Sequence, residues 1–326
     1  MKKIKFGTCL PPFFGCCDRY CKSGYTTGEK TLEQVLDEAV AVKDLCGIEL
    51  MAGLQITKDN AAELNAKIKA RNLEICLVVT DLWTKAEYGK GSVTSVDAKI
   101  RKQAIKDIKD SMDMAAAVGC NAIDVWLGQD GYEYSFQSDY TRDWDYIVRA
   151  LKECAVYNQN VKICIEYKQK EPRNFCFVAN ASKTLLLVNE IDEINVGVLL
   201  DVGHSIAAAE NPAEAVALIK RYGEKLFYIH LNDNYRTWDD DMIIGAVNTP
   251  AMLEFLFWLE KTGYNGWFTA DIYPYREGVA ALTETFEWVK AMRSALKNTG
   301  LEKIHVALKK SEGAESMKLL RDIMFK

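Results

Sequence analysis

The sequence predicts an α/β protein, a (β/α)8 barrel with a C-terminal helical extension, and three observations predict it. Strand-like and helix-like segments alternate from one end of the 326 residues to the other. Eight such units follow one another with no second composition regime, which favours a closed barrel over an open sheet. Finally, charged or coordinating residues end the last four predicted strands: Glu166, Asp201, His230 and Asp271.

The expected strands are short apolar runs: Ile4–Cys9, Gly47–Ala52, Leu73–Thr80, Ala122–Leu127, Val161–Tyr167, Val196–Val202, Leu226–Leu231 and Trp267–Ile272. Between them, apolar residues recur at three and four spacing, the signature of one buried helix face. In Leu32–Leu45 that face is Leu32, Val35, Leu36, Ala39, Val42 and Leu45. Lys99–Val118, Trp144–Tyr157, Ala213–Tyr222 and Ala251–Thr262 show the same spacing, and Gly119, Gly223 and Gly263 mark helix ends. Glu277–Lys297 completes the eighth unit. The barrel is therefore expected over 1–298 and a charged amphipathic tail over 299–326, packed on a neighbouring subunit or folded back on its own barrel.

Hydrophobic residues make up 49% of the chain, enough for a large core, and the net charge of -5 with no long basic run argues against a nucleic-acid partner. No apolar run is long enough to span a membrane, and the first residues lead straight into a strand, so a cytoplasmic location is expected. Ten cysteines are then expected as reduced thiols; Cys16, Cys17 and Cys21 are the only cluster, and Cys76 and Cys164 read as small core residues. Cys16, Cys17 and Asp18 fall in the first loop at the expected pocket.

In a barrel, residues at the C-terminal ends of the strands converge on one mouth. A buried carboxylate is costly unless it is paired or bound to a cation. Three carboxylates and one imidazole in register form the ligand set of a divalent metal, so Glu166, Asp201, His230 and Asp271 are the expected ligands. His204 follows Asp201 by three residues, and Asp239, Asp240 and Asp241 crowd one loop after His230, which suggests either a solvated loop or a second cation. Lys168 shares a strand face with Glu166 and could neutralise a developing alkoxide, or pair with the acidic cluster. Glu49, Trp83 and Trp126 are candidate polyol contacts, since aromatic faces beside acids suit a polyol. Lys85, Lys90, Arg236 and Arg276 offer charge for a phosphate, but no Gly-rich loop accompanies them, which favours an unphosphorylated sugar.

These residues resemble the xylose isomerase-like barrel superfamily of sugar isomerases and epimerases, most closely its rhamnose isomerase branch. The resemblance spans about residues 1–298 and is most specific over 163–245. It implies one metal on Glu166, Asp201, His230 and Asp271, and a second sharing Asp201 with His204, Asp239 and Asp241. It also implies Glu166, Lys168 and Asp271 as the catalytic residues. Two departures matter. Ketose 3-epimerases of the superfamily pair two glutamates on strands five and eight, whereas this chain has Asp271 on the eighth; Arg236, in contrast, matches an epimerase substrate contact. Only His204, His230 and His305 exist, so the histidine that opens the sugar ring in xylose isomerases has no counterpart.

The function expected is a divalent-metal aldose–ketose isomerase working by a C1–C2 hydride shift. A proton-transfer route is the mechanistic rival. The alternatives are a ketose 3-epimerase, a metal-dependent lyase or dehydratase on a sugar or inositol derivative, and a sugar-binding barrel with a structural metal. An endonuclease of the apurinic type shares the barrel but needs a richer histidine set and a basic face. One or two divalent ions are implied, manganese first, with magnesium, cobalt or zinc as the other candidates. The partners expected are a small sugar and further copies of the chain, as a dimer or tetramer.

Overall fold

The structure, a computed structural model, describes residues 3–15, 24, 25, 28, 30–274 and 276–325. Cys16, Cys17, Asp18 and Cys21 lie outside the described residues. Eight strands form the barrel: β1 (Lys5–Thr8), β2 (Leu45–Met51), β3 (Glu74–Val79), β4 (Ala122–Trp126), β5 (Lys162–Glu166), β6 (Val196–Asp201), β7 (Leu226–Leu231) and β8 (Trp267–Ala270). Each pairs in parallel with its neighbours in sequence, and β1 closes the ring against β8. The return path after each strand carries a helix: Leu32–Val40, Ala61–Lys69, Ala98–Val118, Tyr140–Tyr157, Ala181–Ile191, Pro212–Arg221, Thr249–Thr262 and Gly278–Thr299. No described helix is long and apolar enough to cross a membrane.

Local sequence sets the helix starts. Thr31 and Gln34 form a reciprocal capping box, and Asp97, Asp139, Asn180 and Asn211 accept backbone N–H groups at the start of their helices. The helix expected over Leu32–Leu45 stops at Val40, because Leu45 pairs with Phe6 of β1 and must already be extended. The apolar periodicity continues through Val42, but sheet pairing takes the last residues. Helices Ala61–Lys69 and Ala181–Ile191, absent from the expected set, have buried faces led by Leu64 and Ile68 and by Leu185 and Val188. A short helix, Val202–Ala207, begins where the sixth strand was expected to continue.

The main core lies between strands and helices and draws on every layer of the barrel wall. A smaller cluster of Leu77, Ala122, Cys164, Leu199 and Tyr228 plugs the lumen, with Trp267 packed against it. Trp267 reaches inward over Gly47, where a Cβ would stand 2.5 Å from the indole, so a larger residue at 47 would expel it. Above this plug the inward side chains turn polar.

The tail is two helices, Leu301–Lys310 and Gly313–Phe325. Ile304 is buried, and Leu319, Leu320 and Ile323 pack partly against the core, so the tail folds back on its own barrel. Its exposed face presents Val306, Met317 and Phe325.

Asp130, after β4, ties the loop after β3 to the barrel. It accepts from the Ser92 hydroxyl, from Ser92 N at 3.0 Å, and from Thr94 N and Oγ1 at 2.7 and 2.6 Å. Asp130→Ala would strand these buried donors. The expected loss is about 2–4 kcal/mol of unfolding free energy, read from the denaturant midpoint; a loss below about 0.5 kcal/mol would mean the loop is held by other contacts.

Candidate metal centre

Alternation along β4 to β7 decides which side chains enter the lumen. Ile123, Val125, Ile163, Ile165, Val198, Leu200 and Ile229 join the outer core, so Asp124, Trp126, Glu166, Asp201 and His230 face inward. Parallel register then sets their level: Trp126 lies opposite Glu166, and Asp201 opposite His230. Asp271 directly follows β8 and is anchored by its N–H to Leu231 O at 3.3 Å.

Glu166, Asp201, His230 and Asp271 each offer one ligand atom, all within 4.8 Å of one another. His230 Nδ1 faces the three acids, 3.4 Å from Glu166 Oε1, 3.7 Å from Asp271 Oδ2 and 3.9 Å from Asp201 Oδ2. Its Nε2 meets Glu49 Oε1 at 3.2 Å. Glu49, expected among the sugar contacts, thus stands behind the imidazole and is 2% exposed.

A second group, Asp201, His204 and Asp239, satisfies the same 4.8 Å criterion and shares Asp201 with the first. Asp201 ends β6 and caps the helix that follows, with Oδ1 accepting from His204 N at 2.8 Å. That cap swings the His204 ring beside the strand end. Its Nδ1 lies 3.0 Å from the Tyr167 carbonyl, which can only accept, so Nδ1 carries a proton and Nε2, on the Asp239 side, is the nitrogen that could meet a cation once its own proton is lost. Nε2 lies 3.1 Å from Asp239 Oδ2. Lys168 Nζ also reaches Asp239 Oδ2, at 2.7 Å, and Glu171 Oε2 at 2.8 Å. Asp241 falls outside the three-residue group and accepts from Asn232 at 3.2 Å.

Three important residues escape the strand-end pattern. Asn232 is fully buried; its amide donates to Asp201 Oδ2 at 2.9 Å and to Asp241, while its Oδ1 accepts from Gly203 N at 2.7 Å. A Cβ at Gly203 would come within 2.5 Å of that Oδ1, so the close approach requires glycine. Asp124 sits one step below Glu166 with Oδ1 lacking a hydrogen-bond partner among the described residues, and Cys9 Sγ lies 3.3 Å from Asp271 Oδ1. The signal for Asn232 and Asp124 is parity alone: each is two residues from an inward-facing site residue.

Burial and charge pull these groups in opposite directions. Burial works against the Glu166 carboxylate, but His230, then His204 and Lys168, hold it down at about 2. Asp201 is pushed up to about 7 by burial, with Asp239 and Glu166 adding to it against His204. Burial, then Glu166, drives Asp124 well above the usual carboxylate range. His204 stands at about 9, because Asp201 and Asp239 outweigh burial. His230 is likewise raised by Glu49 and Glu166 against burial, and Lys168 by Asp239 and Glu171 against burial.

Glu49, Asp124, Glu166, Asp201, Asp239 and Asp241 are buried, against Lys168, His204 and His230 as the buried bases. Short of protonation, a cation is what balances such an excess. Oxygen donors with one or two imidazoles suit a divalent ion of the magnesium, manganese, cobalt or zinc type. The donor set therefore fits a metal at the first group, and at the second once Lys168 shares Asp239.

The mouth around the centre is aromatic and less finely set. Trp83 and Trp126 pack with centroids 4.8 Å apart, and Lys168 Nζ lies 5.1 Å from the Trp126 ring. Arg236, at a left-handed φ of 73°, is exposed and reaches Asn248 at 3.3 Å. Lys85 is paired with Asp107. His305 packs on Phe257 from the tail, outside the barrel lumen.

The fold defines a class, that of xylose isomerase-like TIM barrels. The chain matches that family over residues 38–292 and belongs to it. Among particular relatives, a xylose isomerase of Thermus thermophilus is 28% identical over 200 residues, covering 60% of this chain and 51% of the relative. The chain thus spans about half the length of the curated relatives it matches. A D-tagatose 3-epimerase-like protein superposes with a TM-score of 0.72 at 19% identity, over 90% of this chain and 100% of that one. An L-ribulose 3-epimerase gives 0.71 at 12%, over 91% and 98%. At these identities the likeness is one of fold.

Asp201 belongs to both ligand groups. Manganese at a hundredfold excess over its Kd is expected to stabilise the parent by about 2.7 kcal/mol, and Asp201→Asn to lose that gain. Thermal melts with added Mn2+ and with chelator check this; an undiminished gain in Asp201→Asn would place the ion elsewhere.

Proposed function

We propose that the chain is a divalent-metal-dependent aldose–ketose isomerase acting on a small unphosphorylated sugar. The observation that carries this reading is Lys168, a buried ammonium beside both ligand groups, fixed by Asp239 and Glu171 at 2.7 and 2.8 Å. Glu166, Asp201, His230 and Asp271 would hold the first ion, and Asp201, His204 and Asp239, with Asp241 beside them, the second. A bound divalent ion would supply Lewis-acid polarisation of neighbouring carbonyl and hydroxyl oxygens. Lys168 would then donate to O1 and stabilise charge as the hydrogen passes between C1 and C2. Trp83 and Trp126 would wall the pocket against the sugar's C–H faces, and Arg236 would contact the substrate from the rim.

Two further observations bear on the substrate. Lys85 is taken up by Asp107 and Arg236 turns to Asn248, which supports a sugar without phosphate. Both buried histidines belong to the ligand groups, and His305 lies outside the lumen. No described histidine is left to open a ring, so the open-chain sugar is the reacting form in this reading.

A ketose 3-epimerase is the second reading. It is favoured by the resemblance in shape to a D-tagatose 3-epimerase-like protein and by Glu166 and Asp271 both reaching the His230 imidazole from separate strands. Asp271 is one methylene shorter than a glutamate, which weakens it as the second acid–base group. The assembly of several copies in solution belongs to the same proposal.

Product analysis separates the two: an aldose–ketose pair supports the isomerase, and a C3 epimer without aldose replaces it with the epimerase. No turnover of any aldose or ketose leaves a sugar-binding barrel. Lys168→Ala is expected to lower kcat by about 10²–10³-fold while Mn2+ still binds. In deuterated water the product carbon should stay nearly unlabelled, whereas heavy labelling would replace the hydride shift by proton transfer.

A further inference from the structure

Glu49 is a buried carboxylate whose one hydrogen-bond partner among the described residues is the Nε2 edge of His230, at 3.2 Å. It belongs to neither group of candidate ligands. The three acids that could share an ion with His230 all stand at the opposite ring nitrogen, Nδ1, at 3.4 to 3.9 Å. Tyr228 meets the same ring edge-on, at 5.8 Å and 90°, and closes off its rotation from below. Thr269 donates to the Tyr228 hydroxyl at 2.8 Å and fixes that neighbour in turn. The ring is thus held from two sides, with Glu166 at Nδ1 at 3.4 Å and Glu49 at Nε2 at 3.2 Å, and of these two acids only Glu49 lies outside the ligand groups.

A carboxylate only accepts when ionised, so a hydrogen bond there places a proton on Nε2. An imidazole with its proton on Nε2 can offer a lone pair only at Nδ1. Without Glu49 the free ring would choose between two tautomers, and the wrong one would turn an N–H toward the three acids. A carboxylate on the far nitrogen also raises the donor strength of the near one. Burying an acid is costly in a lumen already rich in acids, and among the described residues Glu49 forms no ion pair with Lys or Arg that would repay it.

We propose that Glu49 is a positioning residue for the metal centre: through Nε2–H it fixes the His230 ring so that Nδ1 faces Glu166, Asp201 and Asp271. The inference rests on the metal-centre reading and adds to it a residue from β2, on the far side of the barrel from β5 to β8.

Two variants and two readouts test it. Glu49→Ala removes the acceptor, and Glu49→Gln keeps an oxygen able to accept from Nε2–H. By calorimetric titration with Mn2+, Glu49→Ala should weaken binding by about 10–100-fold, and Glu49→Gln by clearly less. Glu49→Ala strands the buried Nε2–H and should melt lower without metal, whereas Glu49→Gln keeps the acceptor and should melt near the parent; a residue that served only the fold would lower the metal-free midpoint and leave the Mn2+ affinity of the folded protein unchanged. The second readout is 15N–1H correlation of ring-labelled histidine in the metal-free protein, where three histidines keep the spectrum simple. The His230 Nε2–H should give a low-field, exchange-protected signal in the parent and in Glu49→Gln, and lose it in Glu49→Ala.

Binding within twofold of the parent in Glu49→Ala overturns the proposal and leaves the metal reading intact. A parent that binds no Mn2+ overturns the metal reading instead. The ring signal then decides Glu49 alone: a protected Nε2–H lost with Glu49→Ala sustains the orienting role, and a signal absent from the parent or unchanged in the variant removes it.

Discussion

Asp201 ends a strand and begins a helix, and one carboxylate serves both ends. Oδ1 caps the His204 N–H, and Oδ2 takes the Asn232 amide. The cap turns the chain sharply enough to bring His204 back over the strand end, three residues after a group that belongs to the same site. The amide ties β6 to the loop after β7, where Asp239 and Asp241 lie. Both ligand groups share this residue, so the spacing between them is set by a local turn and one buried amide. Loop length has little part in it.

Around that joint the barrel concentrates acid. The lower lumen is an apolar plug capped by Tyr228, and the layer above it carries carboxylates with few bases among them. Such a layer would spread apart in water. Here it is held by the closed ring of parallel strands, whose backbone bonds and outer core do not depend on what the inward side chains carry. The scaffold therefore carries the strain of the site, and bound cations would relieve it. The groups are brought together by strand register, whether or not an ion binds them.

The two ligand groups differ in what balances them without an ion. The first has the His230 ring at its middle. The second has the Lys168 ammonium on Asp239, braced by Glu171. A lysine and a divalent ion that shared one carboxylate would repel each other, so the second group would hold an ion less tightly than the first. The same lysine lies against the Trp126 ring, which places the charge between the acid layer and the aromatic wall.

The sequence by itself determined the barrel, because eight apolar runs and the helical spacing between them are local patterns set by side-chain period. It also marked which strand ends carry charged or coordinating residues, since a charged residue closing an apolar run is visible in one dimension. Element boundaries were less legible where two structures compete for the same residues, as at Leu45, where sheet pairing overrides a helical face. Only the tertiary structure decided how the site residues divide their work. Glu49 and Asp124 lie far along the chain from His230 and Glu166, and Asn232 from Asp201, and their contacts come from distances between strands that no spacing encodes. The same holds for Lys168: parity placed it on the inward face, but Asp239, 71 residues further on, decides what its charge meets. Local order writes the strands and their ends, whereas closure of the ring chooses which ends meet.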